Sequence, residues 1–245
     1  MDVRVIIAAG GSGVRFGQAL PKQFAKLGSK SILEHTLSRF ECCSFVKEIA
    51  VVLPAEYSSL SVSPSGCRPQ QTDLENVSFS KVKHFAAGKN TRAESVYEGF
   101  LKISRGVQSC ETVVLVHDGV RPFVCEETIE NVAAKALEHG AAIAAARVTD
   151  TIKKMDSKGF VSETVNRELL WKAATPQGFR MDVLLESYRR AHEQGYLPSA
   201  TDEAFLAEKA GFPVYIIEGN PENIKITTSA DLVFAESLLK AKAGS

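Results

Sequence analysis

The sequence lacks an excess of either charge: Lys and Arg total 29, Asp and Glu total 29, across 245 residues. A chain without net charge exerts no long-range pull on nucleic acid or an anionic membrane, so any anion site in it must be local. No apolar run approaches the ~20 residues that a membrane-spanning helix requires. The five cysteines, Cys42, Cys43, Cys67, Cys110 and Cys125, are odd in number and form no CxxC pair. The five histidines show no HxxxH or HxH spacing, which argues against a structural zinc site. The first residues carry no secretory pattern, so the sequence predicts a cytoplasmic protein with reduced, mostly buried thiols. Internal repeats and low-complexity segments are missing as well. What remains, 44% hydrophobic residues, suits one large domain or one domain with an appended arm.

Two phosphate-binding fingerprints are also absent. No glycine run ends in Gly-Lys followed by Ser or Thr, as a P-loop requires. The dinucleotide pattern needs a glycine three residues after Gly13, where Phe16 stands, and Gly17 comes one residue late. Present instead is Ile6-Ile7-Ala8-Ala9-Gly10-Gly11-Ser12-Gly13-Val14-Arg15-Phe16-Gly17, running on to Pro21-Lys22-Gln23-Phe24. An apolar run thus ends in a loop of four glycines that carries two cations, Arg15 and Lys22. Glycines let backbone N–H groups approach a ligand closely. A tight strand-to-helix connection would use the same glycines; the paired cations and Pro21 favour a cradle for a triphosphate.

The rest of the chain reads as alternating strands and helices. Val3–Ala9 and Glu48–Leu53 are buried strands, and Ser31 caps a helix from Ile32 to about Phe40 that presents Ile32, Leu33, Thr36, Leu37 and Phe40 on one face. His35 on that helix reads as structural. The polar stretch Ser58–Asn76 reads as an irregular surface excursion. Lys81–Ala86 is a third strand, and Thr91 with Glu94 forms a capping box for a helix through Ile103. That arrangement puts Arg92 and Ser95 in a first turn, either beside a ligand or simply solvated. Thr112–Val116 leads into His117-Asp118-Gly119-Val120-Arg121-Pro122, where Asp118 could hold Mg²⁺ or could cap the turn and pair with Arg121. A helix from Glu126 to about His139 and a strand Ala141–Val148 follow. The alternation implies a mostly parallel twisted sheet with helices on both faces, and ligands in such folds lie beyond the carboxyl ends of the strands.

From Asp150 the alternation breaks. Asp150–Met155, a turn at 156–159 and Phe160–Asn166 read as a protruding hairpin exposing Ile152, Phe160 and Val165, which a second copy would cover. Leu169–Ala174 reads as a strand ending in a turn at Thr175-Pro176-Gln177-Gly178, with Trp171 in the core. Further helices are expected over Met181–Glu193 and from an N-cap at Thr201 to about Ala210. Asp202 and Glu203 suit the positive end of the second. Phe212–Glu218 is the last strand, and a closing helix runs from Ser229 to about Leu239.

These blocks together resemble the 2-C-methyl-D-erythritol 4-phosphate cytidylyltransferase family. The carriers are AAGGSGVRFG with PKQF, GKNTRAESV, VHDGVRPFV, Asp150-Thr151, VNRELLWKAATPQGF, TDEAFLAEKAG and ENIKITTSADL, in the family's order over nearly the whole chain. Lys89 departs from the pattern, standing where the family often has a second glycine after Gly88. The resemblance implies a Rossmann-like α/β nucleotidyltransferase, a single domain over 1–245 with a dimerisation β-arm at about 148–168. It also implies attack by a polyol phosphate on the α-phosphorus of CTP. On the family pattern Arg15, Lys22, Arg167 and Lys225 would be catalytic, and Asp118 would lie near Mg²⁺ on the triphosphate. Ala8, Ala9, Gly10, Gly11, Ser12, Gly13, Gly88, Arg92, Ser95 and Asp118 would hold CTP. Arg121, Thr151, Arg167, Thr201 and Lys225 would hold the polyol phosphate, with Arg167 reaching across a homodimer. The alternatives are transfer to another polyol phosphate such as ribitol 5-phosphate, activation of a sugar phosphate with another base, or a non-catalytic nucleotide-binding module.

Overall fold

The fold is organised by period-two burial along its first strand. The structure, a computed structural model, describes residues 1–11, 21–57, 79–107 and 111–243, with the backbone of 62–63 and 66–67. In β1 (Asp2–Ala8), Val3, Val5 and Ile7 enter one core while Ile6 enters the other, as alternating side chains of a two-faced strand must. After β1 come the short ladder β2 (Lys26–Leu27) with β3 (Lys30–Ser31), helix α1 (Ile32–Cys42) and β4 (Val46–Leu53). Next are the two-residue pair β5 (Val62–Ser63) and β6 (Gly66–Cys67), then β7 (Val82–Ala87), α2 (Arg92–Ile103) and β8 (Thr112–Asp118). The surface excursion expected over 58–76 otherwise lies outside the described residues.

The second half contains α3 (Glu126–His139), β9 (Ala141–Arg147), the hairpin β10 (Ile152–Met155) with β11 (Val161–Val165), and β12 (Trp171–Arg180). It closes with α4 (Met181–Glu193), α5 (Glu203–Lys209), β13 (Tyr215–Glu218) and α6 (Ser229–Ala243). Seven strands form the main sheet in the order β13-β9-β12-β8-β1-β4-β7. β1 pairs in parallel with both β4 and β8, β13 is parallel to β9, and only β12 runs antiparallel to its neighbours. Helices α1 and α3 cover the face holding Val3, Val5 and Ile7, and α2 and α4 cover the other. Each such fully buried aliphatic side chain contributes about 1.5–3 kcal/mol. Gly99 lets α2 lie flush on the sheet, since a Cβ there would meet Ile6 at 2.7 Å and Val52 at 2.9 Å. The order in which strands are added reverses at β1, with β4 on one side and β8 on the other, so a ligand crevice opens at their carboxyl ends.

Several expectations need correction. The Thr175-Pro176-Gln177-Gly178 segment is not a turn; it lies within β12, buried between β8 and β9. Pro176 lacks a donor, which made the stretch look like a loop, but the β12–β9 register shifts between Ala173 and Gln177 and absorbs it. Trp171 is not in the core: it is half-buried with the Arg147 guanidinium over its ring at 4.5 Å. Asp202, not Thr201, caps α5, because its Oδ1 accepts from Phe205 N at 2.9 Å. In the hairpin Phe160 is exposed as expected, whereas Ile152 and Val165 pair across the ladder and are half-buried. The last strand is shorter than expected and α6 longer.

Candidate active site

Asp118 ends β8 in the middle of the sheet, and its side chain is only 8% exposed. Three cations from three segments reach it. Lys225 Nζ lies 3.0 Å from Oδ2, Arg121 Nε 3.2 Å from Oδ2, and Arg92 Nε 3.4 Å from Oδ1. Burial alone would push this carboxyl up, but Arg92, Lys225 and Arg121 outweigh it and hold the group well below the usual carboxylate range. Its backbone N–H donates to Thr175 Oγ1 at 3.1 Å, tying the β8 tip to β12.

Around Asp118 opens a cleft of about 420 Å³, walled by Ala8, Ala9, Gly10, Gly11, Lys22, Gln23, Lys89, Asn90, Thr91, Arg92, Ser95, Val120 and Lys225. Asp118 is the sole acid among these, facing Lys22, Lys89, Arg92 and Lys225. A neutral chain has thus concentrated positive charge at one spot, which suits a polyanionic ligand. The floor is two loops in backbone contact. A Cβ on Gly10 would meet Gly88 Cα at 3.2 Å, and one on Gly88 would meet Leu53 O at 3.1 Å. The α2 N-terminus abuts this floor, with the expected capping box formed by Thr91 and Glu94.

Most candidate residues from the sequence meet here. Ala8, Ala9, Gly10, Gly11, Lys22, Arg92, Ser95, Asp118 and Lys225 line the cleft, and Gly88 backs it. Ser12, Gly13, Arg15 and Gly17 lie outside the described residues. Ser95 turns its hydroxyl to its own loop, accepting from Lys89 N at 2.8 Å and donating to Thr91 O at 2.7 Å. Arg121 is braced between Asp118 and the Asn223 carbonyl at 2.9 Å rather than lining the cavity. Thr151, Thr201 and Arg167 are exposed and are not among the lining residues. Arg167 follows β11 and donates to the Thr149 carbonyl at the arm's base.

Sequence reasoning missed the buried amides that position these groups. Gln23, 1% exposed, donates from Nε2 to Ala9 O at 2.7 Å and Gly11 O at 3.1 Å, pinning the start of the glycine loop. Asn223 donates to Thr175 O at 2.7 Å and so anchors the segment that carries Lys225. Gln177 donates to Asp202 Oδ2 at 2.8 Å and accepts from Ala204 N at 3.2 Å, locking the α5 N-terminus to the sheet. Glu203, fully buried, meets Arg92 Nη1 at 2.7 Å. The available sequence signal was the place of Gln23 beside Lys22 and of Asn223 two residues before Lys225; Gln177, in a stretch that reads as a turn, gave none. His117 and His35 are structural: His117 Nε2 meets Arg121 O at 3.1 Å, and His35 Nε2 meets Leu27 O at 2.7 Å.

A divalent metal fits this cleft only in company. Among the described residues no group of three His, Cys, Asp or Glu converges on a metal position. Asp118 alone could contribute a carboxylate, leaving the remaining ligands to phosphate oxygens and water, as Mg²⁺ permits. Among the described residues no helix is long and apolar enough to cross a membrane.

A family model for 2-C-methyl-D-erythritol 4-phosphate cytidylyltransferase matches residues 3–241. A protein of that name from Geobacillus thermodenitrificans is 39% identical over 246 residues, covering 99% of both chains. The crystal structure of 2-C-methyl-D-erythritol 4-phosphate cytidylyltransferase from Thermus thermophilus superposes with a TM-score of 0.74 at 31% identity, over 98% of this chain and 100% of that one. A 4-diphosphocytidyl-2C-methyl-D-erythritol synthase from Anaerococcus prevotii gives a TM-score of 0.80 at 27% identity, over 98% and 96%.

Proposed function

The chain belongs to the 2-C-methyl-D-erythritol 4-phosphate cytidylyltransferase family, and we infer from that membership and from its cleft that it is a nucleotidyltransferase of that specificity. It transfers a cytidylyl group from CTP to 2-C-methyl-D-erythritol 4-phosphate in non-mevalonate isoprenoid precursor synthesis. A phosphate oxygen of the polyol phosphate attacks the α-phosphorus of CTP, and the bond from that phosphorus to the bridging oxygen breaks, releasing pyrophosphate. The observation that carries this reading is the convergence of Lys22, Arg92 and Lys225 around Asp118 at the mouth of the glycine-floored cleft.

An in-line displacement asks little covalent work of the protein, so positioning and charge neutralisation supply the rate. The amides of Gly10 and Gly11, continuing through Ser12 and Gly13, cradle the triphosphate, with Ala8, Ala9, Gly88 and Ser95 against the nucleoside. Lys22 and Arg15 stabilise charge that grows at the reacting phosphorus. Lys225 serves the attacking phosphate; Arg121 holds Asp118 and the Asn223 carbonyl in place beside it. Asp118 would help hold a Mg²⁺ ion, the other ligands being phosphate oxygens and water, and the charge supplied there would assist departure of pyrophosphate. Arg167 completes the polyol phosphate site from the β-arm at about 148–168 of a second copy, and Thr151 and Thr201 line the polyol pocket. In this reading residues 1–245 form one domain of a cytoplasmic homodimer that binds neither nucleic acid nor membrane.

The test is pyrophosphate release with CTP, UTP and ATP against 2-C-methyl-D-erythritol 4-phosphate and ribitol 5-phosphate, with and without Mg²⁺. Release is expected only with the first of each set and with the metal. Equal release with ribitol 5-phosphate, or none with any pair, would overturn the assignment.

A further inference from the structure

We propose that Glu203 is a positioning residue that restrains Arg92 and thereby keeps Asp118 available to the nucleotide and its cation. The inference rests on the functional reading above for its consequence, but on geometry alone for the restraint. Arg92 sits between two carboxylates and divides itself unequally. Its Nη1 lies 2.7 Å from Glu203 Oε2, whereas its Nε lies 3.4 Å from Asp118 Oδ1, at the outer limit of a hydrogen bond. Glu203 has no solvent exposure, and its Oε1 finds no hydrogen-bond partner among the described residues.

A buried ion pair with an oxygen left over is weak grounds for stability, because desolvation consumes most of its Coulombic gain. Yet the chain fixes this one from both sides. Gln177 on β12 holds Asp202 through Oδ2 and Ala204 through its N–H, the residues flanking Glu203. The carboxylate is therefore set by the central sheet, not by a mobile surface helix. Asp118 already receives Lys225 and Arg121 at its Oδ2. Drawing Arg92 back by this margin leaves Oδ1 the less engaged oxygen of a carboxylate that lines the cleft. Released from Glu203, Arg92 would close onto Oδ1 and saturate the carboxylate with protein cations.

The experiment compares Glu203→Gln and Glu203→Ala, each checked for cooperative unfolding, by crystallography and by calorimetric titration with the non-hydrolysable α,β-methylene analogue of CTP plus Mg²⁺. In the Glu203→Ala crystal structure Arg92 is expected to form a short two-point pair with Asp118. Analogue binding should weaken about tenfold, the worth of one charge-assisted hydrogen bond. Glu203→Gln, which keeps an acceptor for Arg92, should recover part of that loss. In an Arg92→Met background Glu203→Gln should change binding less than about twofold, since its effect passes through Arg92. An Arg92 that stays withdrawn from Asp118 in Glu203→Ala, or an equal loss in the Arg92→Met background, would overturn the proposal. A wild-type chain that bound no CTP analogue would sink the functional reading instead, and the crystal structures would still judge the restraint.

Discussion

The strand-end cleft and the β10–β11 arm are built on opposite terms. In the cleft a buried carboxylate is met by three cations, and Gln23, Gln177 and Asn223 hold the surrounding backbone at Ala9 O, Ala204 N and Thr175 O through buried side-chain amides. On the arm, Met155, Phe160 and Val161 are 63–70% exposed, and the two strands pair with each other in a single ladder. An isolated hairpin with its apolar side chains in water is marginal by itself. The described walls of the cleft all come from one chain; the arm leaves apolar side chains uncovered. The proposed site, which would draw Lys22 and Lys225 from the first region and Arg167 from the second, would be half preorganised and half dependent on assembly. The two halves should therefore fail differently when broken.

The sharpest break is at the cleft's centre. Asp118→Asn leaves Arg92, Arg121 and Lys225 facing an amide that cannot balance them, and losing one partner of a buried ion pair costs about 3–5 kcal/mol. Chemical denaturation should register most of that loss at neutral pH. The wild-type contribution has a definite pH window, because Asp118 is depressed in the folded state: it is fully present above the unfolded value of about 3.9 and declines as pH falls below it. An Asp118→Asn chain with unchanged unfolding midpoint would show that the cluster is not a structural element at all.

Lys22→Ala probes the same region at a cation that lines the cleft. Loss of one cation at a reacting phosphorus costs about 3 kcal/mol of transition-state stabilisation, so kcat should fall roughly 10²-fold with the fold intact. Near-normal turnover by a folded Lys22→Ala chain would remove Lys22 from its role.

His117 offers a smaller effect of a different kind. Burial lowers its pKa to about 4, with the Arg121 carbonyl opposing, so the folded state refuses a proton that the unfolded chain accepts near 6.5. Between those values the unfolded state binds more protons, and stability must fall with pH; from pH 7 to pH 5 the loss is about 2 kcal/mol. His117→Gln retains a donor for the Arg121 carbonyl and should flatten that dependence by a similar amount in urea titrations. An unchanged slope would mean that another group carries it.

Much of this was legible in the sequence, and unevenly so. The alternation of apolar strands with capped helices gave the parallel sheet because each residue's local preference agreed with its place; Ser31 with Glu34 and Thr91 with Glu94 form the capping boxes their spacing implied. The cations and Asp118 were visible because charge at a strand end is unusual. β12 was not legible: Pro176 and Gly178 signal a turn locally, and only pairing on both sides overrides that signal. Arg92's link to Glu203 was hidden because they stand 111 residues apart, and an acid beside a helix cap already has an ordinary explanation. Trp171 misled because a lone tryptophan reads as core, whereas here it stacks on Arg147.

Arg167→Ala carries the smallest expected effect and separates the two regions most cleanly. Arg167 is exposed and its side chain hydrogen-bonds only to the Thr149 carbonyl among the described residues, so its removal should leave the unfolding free energy within about 0.5 kcal/mol. If it meets the polyol phosphate, KM for that substrate should rise about tenfold while KM for CTP holds, the value of one charge-assisted contact. A rise confined to CTP would instead place it at the nucleotide. If Arg167 acts in the cleft of a second copy, mixing Arg167→Ala with Lys22→Ala chains should yield heterodimers holding one intact site and one doubly damaged site. Activity of the mixture should then exceed the sum of the separate variants. Equal mixtures that merely average the two would put Arg167 in its own chain's cleft or in none. The arm would then lose its claim to half of the site, and the contrast between a finished and an unfinished region would reduce to one between buried and exposed structure.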